Sequence, residues 1–160
     1  MTTMQITAEP GVPQVLTSRA FDAPLELVYR AFTEPDLLVR WLGPRRYTTT
    51  IDRYDLRDGG TWRYVQTDDA GNEFGFHGVF HGDPSPRGIV QTFEFEGAPG
   101  HVSLDTVTFE DKDGKTIVRT NSVFQSVQAR DAMVEAGMSD GMSEGYERLD
   151  ELLATLVAND

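Results

Sequence analysis

"DGMSEGYERLDELLATLV", Asp140 to Val157, is the longest helical pattern in the chain, and its neighbours decide what it packs against. Met142, Tyr146, Leu149, Leu153 and Leu156 recur at alternating steps of four and three residues, which lines them along one face and leaves the acids to water. Upstream lie six runs with β character: Tyr47–Leu56, Thr61–Thr67, Phe74–Gly82, Ile89–Phe95, Val102–Glu110 and Thr116–Phe124. The segments between them, among them Asp58-Gly59-Gly60, Asp83-Pro84-Ser85-Pro86 and Asp111-Lys112-Asp113-Gly114, carry the Gly, Pro and Asx residues of tight turns. Turns this short join antiparallel neighbours.

Working outward, Val15–Phe21 alternates as a further strand. Asp22-Ala23-Pro24 starts a helix, with Leu25, Val28 and Phe32 at helical spacing. Thr33-Glu34-Pro35-Asp36 reads as a second helix start with Thr33 as cap; that helix carries Leu38, Trp41 and Leu42 and stops at Gly43-Pro44. A short helix over Gln128–Ala136 precedes the last one, with Gly137 ending it and Asp140 capping the next. Residues 1–13, polar and holding Pro10 and Pro13, read as a flexible lead-in, and residues 14–158 as one domain.

Strands and helices are thus segregated, which defines an α+β protein. The expected architecture is a curved antiparallel sheet of six to seven strands wrapped round the long C-terminal helix, with two short helices after the first strand. One helix covers only part of such a sheet, so the fold tends to leave a space between them.

Composition narrows the function. The formal net charge is −12, and residues 126–160 hold eight acids against Arg130 and Arg148. Such a chain repels phosphate backbones, which argues against nucleic acid. The basic, aromatic stretch Arg40–Tyr64 is interleaved with Asp52, Asp55 and Asp58. The Arg40, Arg45 and Arg46 cluster reads as a solvated, acid-paired loop. No apolar run approaches the roughly 18 residues of a membrane span, and the N-terminal residues lack a signal-peptide pattern. With no cysteine in the chain, disulfides and thiolate chemistry are excluded, and a cytoplasmic location is the expectation.

Three apparent motifs fail on context. Gly-x-Ser-x-Gly occurs around Ser139 and again around Ser143, but in a helical region with no histidine beyond His101 to complete a triad. His77 and His81 lie four residues apart on a strand, about 13 Å at ~3.3 Å per residue, too far to share a metal ion. "DKDGK" lacks the later ligands of a calcium loop and reads as a hairpin turn. The expectation is no metal and no cofactor.

The aromatics carry the remaining signal. Trp62 and Tyr64 share a strand face, as do Phe74, Phe76 and Phe80, with Gly78 between them where a side chain would otherwise enter the interior. Phe93 and Phe95 share another, and Arg63 alternates with Trp62 and Tyr64, so it faces water if they face in. Gly141 and Gly145 keep one face of the last helix small, either for close approach or for a ligand. The candidate cavity residues are Trp41, Trp62, Tyr64, Phe76, Gly78 and Phe80, together with Phe93, Phe95, Met142, Tyr146 and Leu149. Strand residues Glu94, Asp105 and Arg119 form no evident acid–base pair, so no catalytic residue is assigned.

"FDAPLELVYRAFTEPDLLVRWLGP" (Phe21–Pro44), "YDLRDGGTWRY" (Tyr54–Tyr64) and "GMSDGMSEGYERLDELLATL" (Gly137–Leu156) together resemble the SRPBCC superfamily, which is START-like and shares the birch-pollen-allergen fold. Within it the chain is most similar to the branch named for the activator of the heat-shock protein 90 ATPase, over about Val15 to Leu156. Tyr146 stands where many relatives carry tryptophan, and Leu42 where an aromatic is common, differences that bear on cavity shape. The resemblance implies a helix-grip fold with an internal apolar cavity. The expected partner is a small apolar or aromatic molecule. A cyclase- or dehydratase-like enzyme in the same cavity and a chaperone-associated interaction module are the alternatives, with a chaperone partner or a homodimer as secondary expectations. The fold alone hosts all of these.

Overall fold

The structure is a computed structural model and describes residues 3–159. Among these, eight strands form one antiparallel sheet. In chain order the elements are β1 Gln5–Thr7, β2 Gln14–Phe21, α1 Leu25–Thr33, α2 Pro35–Leu38, β3 Thr48–Tyr54 and β4 Thr61–Thr67. Then follow β5 Glu73–Val79, β6 Ile89–Phe95, β7 Val102–Lys112, β8 Lys115–Val123, α3 Val127–Glu135 and α4 Met138–Ala158. The sheet order is β1-β2-β8-β7-β6-β5-β4-β3, so β3 to β8 make the expected meander and β2 adds to its last strand. Helices α1 and α2 carry the chain from one side of the sheet to the opposite edge.

The sheet has more strands than the six to seven expected. The extra one, β1, falls within the segment read as a lead-in and pairs antiparallel with β2 through Gln5↔Ser18 to Thr7↔Leu16. Three residues are too few to show a period, which is why the alternation argument missed it. Two caps also differ from expectation. The Thr33 hydroxyl donates to the Tyr29 carbonyl at 2.8 Å, back along α1, and Glu34 takes the cap position of α2 without a side-chain bond. Asp140 lies inside the first turn of α4, where its charge still suits the helix N-terminus. The cap itself is Gly137, at φ 91°, because the chain must reverse between α3 and α4 within two residues and glycine bears that conformation without a Cβ clash.

The core sits where α1, α2 and α4 meet the sheet. Phe21, Val28, Phe80, Val118 and Leu149 are each at most 1% exposed, and each such side chain removed from water contributes about 1.5–3 kcal/mol before entropy is counted. Tyr146 meets Phe21 edge to face at 5.1 Å. The turn after α2 is held against α4 from two sides. Arg148 donates to the carbonyls of Gly43 at 2.9 Å and Arg40 at 3.0 Å. Gly145 brings the helix so close that an added Cβ would stand 3.2 Å from the Trp41 carbonyl oxygen. Close approach is therefore the use of Gly145, toward this turn rather than toward the sheet.

Candidate functional site

Between the sheet and the first turns of α4 lies a cavity of about 590 Å³. Its sheet wall follows from alternation. On β4 the residues Trp62, Tyr64 and Gln66 face it, on β5 Phe74 and Phe76, and on β6 Ile89, Gln91, Phe93 and Phe95. Cross-strand register puts the rings side by side, Tyr64 opposite Phe76 and Phe76 opposite Phe95. They form one contiguous aromatic row: Trp62 stacks on Tyr64 at 5.4 Å and 16°, Tyr64 on Phe76 at 5.1 Å and 26°, and Phe76 lies 5.5 Å from Phe93. The opposite wall is Trp41, whose indole N–H donates to the Ala31 carbonyl at 2.9 Å, with Tyr146, Met142 and Gly141.

Eight of the expected residues thus line the cavity: Trp41, Trp62, Tyr64, Phe76, Phe93, Phe95, Met142 and Tyr146. Gly78, Phe80 and Leu149 do not. Phe80 and Leu149 are fully buried in the core beyond it. Gly78 has the reverse of its expected use. A Cβ there would lie 1.9 Å from the Thr92 carbonyl oxygen and 2.7 Å from the Trp62 ring, so the indole already fills the space that the missing side chain leaves. The Trp62 indole N–H has no hydrogen-bond partner, the single such buried side-chain atom among the described residues.

The lining residues outside the expected set include apolar ones such as Phe74 and Ile89, and a polar group that carries more chemistry. Gln91, Asp105 and Ser122 are direct cross-strand neighbours on β6, β7 and β8, and all three face the cavity. Neighbours in this relation have Cβ atoms roughly 4.5–5.5 Å apart, so they make one polar row across the floor. Ser103, two positions along β7, donates to Asp105 at 3.1 Å. The surface that Asp105 retains faces the cavity, and the surrounding protein removes most of its hydration. Desolvation therefore pushes its carboxyl up to about 6, against the opposing pull of the Ser122 and Ser103 hydroxyls. Burial likewise pushes the Tyr54, Tyr64 and Tyr146 hydroxyls up, which keeps them neutral. The signal for Asp105 was present: Ser103, Asp105, Val107 and Phe109 alternate, and Phe109 is a core residue.

The other charged groups lie outside. Arg63 faces away from the aromatic wall, donating to both carboxylate oxygens of Glu96 at 2.8 and 2.9 Å. His77 is on that outer face, 2.9 Å from Glu96, and His81 and His101 are exposed. Of the loop expected to be acid-paired, Arg45 pairs with Glu151 and its backbone N–H donates to Glu144, while Arg46 lies over the Tyr47 ring. Among the described residues no group of three or more His, Asp or Glu is placed to hold a metal ion. Both Gly-x-Ser-x-Gly matches lie at the start of α4. "DKDGK" is the β7–β8 hairpin turn, with Asp113 and Gly114 both at positive φ.

A family model described as "Activator of Hsp90 ATPase homolog 1-like protein" matches residues 22–154. The chain belongs to this family. Hsp90-ATPase-activator-like domains have the helix-grip fold, which typically binds hydrophobic ligands. Solved structures of similar shape come from several bacteria. A Rhodobacter sphaeroides protein is 28% identical, with a TM-score of 0.87 over 96% of this chain and 99% of its own. An Arthrobacter aurescens protein is 25% identical, with a TM-score of 0.87 over 94% of this chain and 91% of its own. A Mycobacterium smegmatis protein, 22% identical over 93% and 95% of the two chains, shares the fold with a TM-score of 0.84. No curated protein matches the chain. Among the described residues no helix is long and apolar enough to cross a membrane.

Proposed function

We propose that the protein binds a small, mainly apolar or aromatic molecule in the cavity between the sheet and α4. One observation carries this reading: about 590 Å³ is walled by stacked rings on one side and by Trp41, Met142 and Tyr146 on the other. A void of this size lies within the range of small-molecule sites, roughly 300–1,000 Å³. Aromatic rings and an adaptable methionine suit an apolar or aromatic body.

Mass spectrometry of an organic extract from the purified protein, with thermal shifts against lipids, polyketide-like aromatics and hydrophobic amines, tests the reading. A co-purifying compound or a saturable stabilisation supports it. Gly141→Leu should abolish either signal, because Gly141 lines the cavity and its Cβ would meet nothing nearer than 3.8 Å. Gly78→Phe is the wrong probe, since it disrupts Trp62 packing whether or not a ligand binds. No compound and no shift across the panel would sink the reading.

A catalytic use of the same cavity is the second reading, and Asp105 is the observation that favours it. A carboxyl at about 6 suits proton transfer near neutral pH, and the tyrosines around it stay neutral. Turnover of a bound compound that Asp105→Asn abolishes while binding persists would establish it; unchanged turnover in that variant would remove it.

A further inference from the structure

Among the described lining residues of the cavity Asp105 is the one carboxylate, and none is Lys, Arg or His. The chain is not short of cations near its carboxylates elsewhere. Arg19 takes Asp150, Arg63 takes Glu96 and Asp52, Arg45 takes Glu151, and Arg119 takes Glu110. Asp105 is in none of the ion pairs among the described residues and takes only hydroxyl donors, from Ser103 and Ser122. Two neutral donors leave part of the roughly four lone-pair sites of a carboxylate unused. A half-buried carboxylate stripped of most of its hydration carries a standing electrostatic cost that a cation entering the cavity would relieve.

The surroundings favour the same occupant. Gln91 and Ser122 flank Asp105 in register and offer an amide oxygen and a hydroxyl oxygen as further acceptors. Tyr64 lies close enough to feel the Asp105 charge, and it belongs to the stacked surface of Trp62, Tyr64 and Phe76. These rings give the body of such a ligand an apolar wall beside the carboxylate. An anionic amphiphile such as a fatty acid meets the opposite situation: a like charge on the floor and no basic side chain on the walls.

We infer that the cavity selects compounds with an apolar or aromatic body and a protonated amine, the amine donating to Asp105, and that it discriminates against carboxylates of the same shape. This rests on the small-molecule reading above and adds the charge of the ligand to it.

Three matched fluorescent probes separate the two ideas: 1-pyrenemethylamine, 1-pyrenemethanol and 1-pyrenecarboxylic acid, with the corresponding naphthalene trio as a smaller body. Affinities are measured at neutral pH with the wild-type chain and with Asp105→Asn. In the wild type the amine is expected to bind at least about tenfold tighter than the alcohol, the size of one charge-assisted hydrogen bond, and the acid weakest of the three. In Asp105→Asn the amine and the alcohol should bind within about threefold of each other. Cooperative thermal unfolding of Asp105→Asn, with a midpoint no lower than that of the wild type, shows that the variant is folded. An alcohol that binds the wild type as tightly as the amine, or an amine preference that survives Asp105→Asn, overturns the charge inference and leaves the cavity reading intact. Failure of all six probes to bind overturns both.

Discussion

The two halves of α4 carry the same apolar stripe and do opposite things with it. From Tyr146 to Leu153 the stripe is large and closed: Tyr146, Leu149, Leu152 and Leu153 are each at most 4% exposed. From Met138 to Met142 the same face presents two methionines and Gly141, all partly exposed, and it borders the cavity. One helix thus anchors the fold at its C-terminal half and leaves room at its N-terminal half. Side-chain volume, rather than helix position, separates core from cavity.

Truncation in the closed half should give the largest effect. Leu149→Ala removes a fully buried side chain that does not line the cavity, and should cost about 2–5 kcal/mol of stability, read as a lower denaturation midpoint. A cost below about 1 kcal/mol would mean that the closed half is no better packed than the open one.

Asp105→Asn should come next, with the opposite sign. The Asp105 carboxyl sits at about 6 in the folded protein, above its ordinary 3.8, so folding favours the protonated form. The stabilising preference for the proton is complete below the ordinary value and is lost as pH rises through about 6. Above that pH the wild type bears the cost of a buried charge that asparagine lacks. At neutral pH the variant should be more stable by roughly 1–3 kcal/mol, discounted for the part of the group that faces the cavity. The gap should close as the pH falls toward 4, measured by denaturant titrations across that range. A gap independent of pH would show that Asp105 is solvated in the folded state.

Gly141→Leu should move stability least. The position lies within the helix, and a Cβ there would meet only Pro44, at an ordinary 3.8 Å, so replacing glycine should raise stability by about 0.5–1 kcal/mol through helix propensity. Ligand binding should fall together with the free volume. A loss of stability would show that the open half is filled, and the comparison between the halves would then fail.

Much of this was legible in residue patterns. Thr61–Thr67 and Ile89–Phe95 are strands with the bounds that alternation sets, and the stripe of the last helix faces the core as its spacing requires. Alternation also put Arg63 outside and Trp62 and Tyr64 inside. What escaped is instructive. Gly78 looked like an opening because its own side chain is missing, whereas the space belongs to Trp62, sixteen residues away in sequence and opposite in register. Asp105 looked like any strand acid until Phe109 fixed which face of β7 is inward.

The sequence by itself determined the longer elements, their order, and the inward side of β4 and of the last helix, because these depend on spacings within a few residues. The tertiary structure decided where the interior is full and where it is empty. That depends on volumes contributed by Trp41, Tyr64, Phe93, Gly141 and their neighbours on separate elements, and no local period records such a sum. It also decided that Asp105 has no ion-pair partner among the described residues, since the arginines near other acids are placed by the outer face and the helices. Charge on the floor of the cavity follows from strand register, and register is settled only when the sheet closes round its helix.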